Sequence, residues 1–188
     1  PTCVSSWQRK FYFEFTESEW KTIFKLPSKL TKDVKVIELQ TKILHRVYAC
    51  NSYVARFDKS VYEKCKICNV KCDICHMFYH CEDVKRFWYN FLRWWNANFA
   101  TLYIDISITD VIFGILLPKS ETINYCILLA KSFLHKLYRK CENNPISPSL
   151  DIYLHWLKEV VEVERYIAVK NDTMESFTSK FETLLNCL

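Results

Sequence analysis

Glycine is nearly missing from this chain: Gly114 is the single one among 188 residues. Tight hairpins draw on glycine for turns of positive φ, and neither Asn-Gly nor Asp-Gly occurs, so the scarcity favours helices over a hairpin sheet. It also leaves no means of building a glycine-rich phosphate loop. No apolar run approaches the roughly 18 residues of a membrane span, and the richest, 111–117, is far shorter. No signal peptide is evident. Methionine is absent from the first position, where Pro1 stands, so a fragment or a processed chain is expected.

What is present is material for a core. Half of the residues are hydrophobic and 16% are aromatic, which excludes a disordered tail. The length suits one domain or two small ones sharing a core. The expected organisation is an N-terminal helical segment with a basic face (1–60), a metal knuckle with a following aromatic helix (61–100), and a C-terminal helical region (101–188). The fold class expected is all-α, with a small zinc-knuckle subdomain and little β structure.

Ten cysteines could suggest a secreted disulfide scaffold, but their spacing argues otherwise. Cys65, Cys68, Cys72, Cys75 and Cys81 crowd into seventeen residues with His76 and His80, and the other five are scattered singly, as buried thiols in a reducing compartment would be. The chain is therefore read as intracellular. The net charge of +5 is also uneven: residues 21–71 carry twelve Lys/Arg against four acids, or +8, whereas the flanking stretches are slightly acidic. That asymmetry points to a polyanionic partner, with a solvated helix face as the plain alternative.

Periodicity places the elements. Residues 7–15 are aromatic and partly alternating, which suggests a strand or an extended arm. Thr16-Glu-Ser-Glu19 reads as a helix start, with the helix stopping at Pro27. A helix over 31–48 sets Val36, Ile37, Ile43, Leu44, Val47 and Tyr48 on one side and Lys32, Lys35, Lys42 and Arg46 on another. The strongest stripe is Val84, Phe87, Trp88, Phe91, Leu92 and Trp95, with Arg86, Tyr89 and Arg93 opposite. Residues 103–109 alternate weakly, and Thr109 or Asp110 is expected to cap a short helix ending near Leu117. Ser120 then starts a long helix with Ile123, Cys126, Ile127, Ala130, Leu134, Leu137 and Cys141 in register. The run Asn-Asn-Pro-Ile-Ser-Pro at 143–148 reads as a linker. Two further helices follow, broken at Asn171-Asp-Thr173.

The metal motif is C-x2-C-x7-H-x4-C, formed by Cys65, Cys68, His76 and Cys81. Zinc takes four thiolate or imidazole ligands at tetrahedral corners, and a closed set leaves no open position for water, so such a site is structural rather than catalytic. Three other cluster residues compete: His80 can replace Cys81, and Cys72 with Cys75 forms a second Cys-x-x-Cys. Clustered buried or redox-active thiols are the alternative to a metal.

The run Lys42-Ile-Leu-His-Arg-Val-Tyr48, then Cys65, Cys68 and His76-Met-Phe-Tyr-His-Cys81, then Val84-Lys-Arg-Phe-Trp88, and finally Ala130-Lys-Ser-Phe-Leu-His135, resembles the C-terminal segment of reverse transcriptases from LINE-class non-LTR retrotransposons. Lys66 stands where that family often has tryptophan, and Cys72, Cys75 and His80 are additional to its pattern. The resemblance implies a parent polyprotein with upstream endonuclease and polymerase domains. In it, this segment would bind template RNA, and single-stranded or target DNA besides, with little sequence preference during target-primed reverse transcription. It further implies a cytoplasmic ribonucleoprotein that reaches the nucleus, with no membrane partner.

The residues expected to meet nucleic acid are Lys32, Lys35, Lys42, Arg46, Lys64, Lys66, Lys71, Arg86 and Arg93 for phosphates, and Tyr89 for stacking. Tyr79 and Trp94 are further stacking candidates, though core packing is the commoner fate of an aromatic. Catalysis within the segment is not expected, because every good Cys/His nucleophile pair is also a candidate metal ligand and no paired aspartates suit two-metal chemistry. A zinc-stabilised protein-interaction or interdomain docking module is the competing function.

Overall fold

The computed structural model describes residues 2–99, 103–140 and 147–188. Cys141 and positions 143–146 of the expected linker lie outside them. The described chain is all-α. Its helices are α1 (Thr2–Phe11), α2 (Glu17–Leu30), α3 (Val34–Leu44), α4 (Asn51–Val54), α5 (Glu82–Asn98), α6 (Ile108–Phe113), α7 (Glu121–Lys140), α8 (Leu150–Lys170) and α9 (Met174–Cys187), with a π-helix at His76–His80. The β structure among the described residues is one isolated antiparallel bridge, Lys64 with Lys71. No described helix is long and apolar enough to cross a membrane.

Two compact units emerge: Pro1–Glu82 with Ser107–Pro118, and Asp83–Ile106 with Lys119–Leu188. The division falls inside the 61–100 segment, so the cysteine cluster belongs to the first unit and nearly all of α5 to the second.

In the first unit, α2 packs on α3, and α6 packs on both α3 and the π-helix. Thr16 and Glu19 form the capping box that their spacing predicts. Phe113 of α6 is the hub: the rings of Trp7, Phe11, Phe13, Phe15 and Trp20 each meet it edge-on at 5.4–5.9 Å. This cluster corrects the strand or extended arm expected over 7–15, of which residues 7–11 are helical. Trp7 and Phe11 are one helical turn apart on α1 and stack at 5.6 Å, and only beyond Tyr12 is the chain non-helical. A second correction concerns α2, which runs through Pro27 to Leu30; the buried proline sits inside the helix and its carbonyl accepts from Thr31.

α3 is shorter than the expected 31–48. Asp33 caps it with bonds to the Lys35 and Val36 amides, and the helix ends at Leu44. The amide of Val47 then bonds the carbonyl of Lys42 across Arg46, whose φ is 61°, which is a Schellman closure with arginine where glycine is usual. Val47 consequently leaves the apolar stripe and is exposed. α6 is capped by Ser107 paired with Asp110, not by Thr109 or Asp110, and ends at Gly114 rather than near Leu117. The single glycine thus occupies a position with φ 89° and ψ 161°, which a Cβ would make costly. Asn69, Lys119 and Asp172 take positive φ elsewhere without glycine.

In the second unit the stripe of α5 is buried as its period predicts, with Leu92 only half-buried. Phe87 and Phe91 meet Tyr153 of α8, and Phe87 stacks with Phe133 of α7. The Tyr153 hydroxyl donates to the Cys126 carbonyl at 2.7 Å. α7 is buried from Ile123 through Leu134 without a polar face, although Asn124, Lys131 and Ser132 lie in that stretch. Asp172, at φ 54°, ends the connection between α8 and α9 where the sequence break predicts.

Candidate metal centre

The site begins with a turn. The Cys65 amide bonds the Val70 carbonyl at 2.8 Å, the Cys72 amide bonds the Glu63 carbonyl at 2.9 Å, and the Asn69 amide returns to the Cys65 carbonyl at 2.9 Å. Asn69 takes φ 52°, a conformation its short polar side chain tolerates better than most. The Tyr62 hydroxyl donates to the Asn69 side-chain oxygen at 3.0 Å. The result is a small hairpin whose turn contains Cys65 and Cys68. It is tied to α4 by the Ser52 amide on the Cys72 carbonyl at 3.1 Å.

The other two candidate ligands come from the π-helix. Asp73 starts it: its carboxylate accepts from the His76 amide at 2.8 Å and its backbone carbonyl from Met77 at 2.9 Å. The other carboxylate oxygen takes the Lys10 ammonium at 2.5 Å, anchoring this start to α1. Burial works against the Asp73 carboxylate, but the Lys10 and His76 donors outweigh it and hold the carboxyl below its ordinary range. The π-helix closes with the Cys81 amide on the His76 carbonyl at 2.8 Å. An i→i+5 bond of this kind brings residues five apart onto one side, where an α-helix would splay them. The x4 spacing between His76 and Cys81 is matched to that turn. Met77 and Phe78 point the opposite way into the core, with Phe78 against Tyr48 at 5.3 Å.

Together these elements bring Cys65, Cys68, His76 and Cys81 into one cluster, with the four ligand atoms all within 4.8 Å of one another. Cys81 Sγ lies 4.0 Å from Cys65 Sγ and 3.8 Å from Cys68 Sγ. A tetrahedron with metal–sulfur bonds of about 2.3 Å has edges of roughly 3.8 Å, so the cluster is the size of a tetrahedral ion's shell. Cys68 Sγ also accepts the Glu82 amide at 3.4 Å. The cluster can hold a metal ion.

The competing residues are placed elsewhere. Cys72 and Cys75 are each 1% exposed and stand outside the cluster, and burial pushes the Cys75 thiol up to about 11. His80 is exposed, outside the cluster. None of the nine described cysteines is in a disulfide.

The residues expected to meet nucleic acid divide into several settings. Lys32 and Lys35 are exposed at the start of α3, and Lys42 near its end is exposed and paired with Glu38 at 2.7 Å. Lys64, half-buried, and Lys66 and Lys71, exposed, sit on the knuckle hairpin beside the cluster. In the second unit Arg86 pairs with Asp83 at 3.0 Å, while Tyr89 is 61% exposed with Arg93 over its ring. Tyr79 and Trp94 are half-buried, and Trp94 packs on Phe91, Trp95 and Phe99. Arg46 does not share the lysine face of α3. It turns back beyond the helix end to lie over Trp7 and donate to the Ser6 carbonyl at 2.7 Å. Sequence reasoning passed over Arg9 and Arg56, which line a cleft with Arg46; neither belongs to a charged periodic face.

Compared with models of known protein families, the chain matches none.

Proposed function

We propose that this chain is a nucleic-acid-binding segment folded around one zinc ion, holding RNA with little sequence preference and doing no chemistry itself. The observation that carries the reading is the placement of Lys64, Lys66 and Lys71 on the hairpin that supplies Cys65 and Cys68, which follows the lysine-bearing α3 and the short α4 in the chain. A metal that fixes the hairpin fixes those ammonium groups too, so coordination organises the phosphate-binding surface. Zinc is the ion of choice because three thiolates and one imidazole at tetrahedral spacing suit it, and Cys65, Cys68, His76 and Cys81 would hold it. The metal would supply folding free energy to the hairpin and the π-turn that it joins.

The resemblance of 42–48, the knuckle and 84–88 to LINE-class reverse transcriptases supports placing this segment after polymerase and endonuclease domains, gripping template RNA, and target DNA besides, during target-primed synthesis. The test is filter binding of several RNA and DNA sequences across a salt series. Similar affinity for unrelated RNAs, falling steeply with salt, is the expected result. In the variant Lys32→Glu/Lys35→Glu/Lys42→Glu, affinity should drop by about tenfold or more with a shallower salt slope. Unchanged affinity removes that face from the reading, and affinity indifferent to salt removes the reading itself.

One feature favours a protein-docking role for the second unit instead. Ile152, Val163, Tyr166 and Val169 of α8 are each about 60% exposed, more apolar surface than one helix ordinarily leaves to water. A complex formed through that helix would barely respond to salt.

A further inference from the structure

The first unit contains a cleft of about 700 Å³ between α1, the residues that follow α3, and α4. Its walls carry Arg9, Lys10, Arg46 and Arg56, with His45 nearby and Asp73 as the one carboxylate. Lys10 is already matched to Asp73, so the surplus is three guanidinium groups. Guanidinium forks suit phosphate oxygens, and three of them line one concavity. The lining also carries the hydroxyls of Thr2, Ser6 and Ser52, of which that of Ser6 donates to the Thr2 carbonyl. The half-buried ring of Tyr53 stands in the same wall with the Arg56 guanidinium 5.7 Å from its centre, an aromatic face beside the charged cluster.

The volume decides the class of ligand. A bare phosphate would occupy a small part of it, whereas 700 Å³ lies in the range of sites that enclose small organic ligands. A phosphate next to a flat ring is the combination that three arginines and the Tyr53–Arg56 pair recognise together. We propose that this cleft binds one nucleotide unit, its phosphate among Arg9, Arg46 and Arg56 and its base against Tyr53. The shared chemistry of a free nucleotide and of one nucleotide within a single strand fits it, and the site is separate from the lysine face of α3. The inference deepens the nucleic-acid reading but does not need the lysines.

The experiment uses the full chain with its metal and three probes: inorganic phosphate, AMP and a ten-residue oligouridylate, each titrated by calorimetry. Arg9 and Arg56 are exposed, so Arg9→Glu/Arg56→Glu tests the cleft with little risk to the fold. Lys32→Glu/Lys35→Glu removes the same charge from α3 and serves as the control. The cleft variant should lose tenfold or more in affinity for AMP, for the oligonucleotide or for both, and the charge-matched control should lose far less for the same ligand. AMP binding marks a free-nucleotide site; oligonucleotide binding alone marks a strand site. Tyr53→Ala should weaken the nucleotide probe while leaving phosphate unaffected. Equal losses in the two charge variants, or none in the cleft variant, overturn the proposal. If the cleft variant keeps its RNA affinity and the control loses it, the cleft fails while the nucleic-acid reading stands. The reverse pattern retains the cleft and dismisses the lysine face.

Discussion

The Arg46 guanidinium lies 4.6 Å from the centre of the Trp7 ring, and the Trp7 indole N–H donates to the Leu44 carbonyl at 2.8 Å. The two side chains finish α3 jointly: Trp7 satisfies a carbonyl that the helix leaves open, and Arg46 covers Trp7. Arg46 pays for this with a left-handed backbone, at roughly 1–2 kcal/mol for a residue with a Cβ. Its stacking contributes about 0.5–1 kcal/mol and its bond to the Ser6 carbonyl a similar amount, so cost and gain nearly balance.

That balance sets an order among variants. Arg46→Gly removes the strain with the contacts and should sit within about 1 kcal/mol of the native chain, whereas Arg46→Ala keeps the strain, loses the contacts and should fall about 1 kcal/mol lower still. Urea unfolding of both variants measures this. Equal stabilities for glycine and alanine would mean that position 46 is not left-handed in solution.

Gly114 presents the sharper backbone constraint. At φ 89° and ψ 161° it occupies a region open essentially to glycine alone, and its own amide closes α6 on the Asp110 carbonyl. Gly114→Ala should cost about 1–3 kcal/mol. Phe113, the adjacent hub of five rings, should cost about 3–5 kcal/mol on truncation to alanine. Thermal unfolding of the two variants separates backbone strain from lost packing, since only Phe113→Ala should also change the near-ultraviolet signal of Trp7 and Trp20.

What could be read ahead of the structure followed from periodicity within one element. The α5 stripe needs no distant partner to be recognised, and Val84, Phe87, Trp88, Phe91 and Trp95 are all buried. The first fifteen residues were opaque for the opposite reason. Trp7, Phe11, Phe13 and Phe15 converge on Phe113, a hundred residues away, across a junction of helix and non-helical chain, so their spacing mimics a strand without forming one. The order of Cys65, Cys68, His76 and Cys81 is legible, but the choice of Cys81 over His80 rests on a π-turn that no residue pattern announces. The arginine cleft was hidden because Arg9, Arg46 and Arg56 meet only through tertiary packing, and because Arg46 leaves its helix at an unusual backbone angle.

The cluster predicts a cooperative metal loss. Cys68→Ser and Cys81→Ser each remove one corner of the shell, and Cys81 is the sulfur from which the 3.8 and 4.0 Å sulfur–sulfur edges extend. Each variant should bind less than half the zinc of the native chain by elemental analysis. Hydrogen exchange should speed up at the Cys65, Cys72 and Cys81 amides, whose bonds hold the hairpin and the π-turn. Cys75→Ser should leave zinc content unchanged, because that thiol faces the core. Because thiolates and a neutral imidazole would hold the ion, affinity should fall with acid and binding should release protons. Full metal content in both ligand variants would sink the assignment.

Lys131 supplies a pH dependence in the second unit. The side chain is 2% exposed in the middle of α7, and burial depresses its pKa from the ordinary 10.5 to about 7. Between those values the folded chain holds the amine neutral while the unfolded chain carries an ammonium, so unfolding takes up a proton and stability rises with pH. Below about 7 both states are charged, and the full cost of burying the ammonium is felt. Lys131→Met keeps the length of the side chain and removes the titration. The native chain should therefore gain stability relative to this variant from pH 7 to 9, by at most about 1.4 kcal/mol per pH unit. At pH 7 the variant should be the more stable of the two. Taking the difference between the two urea-unfolding series at each pH cancels every other titrating group, including the metal ligands. A difference that stays flat over those two units would place the Lys131 amine in water.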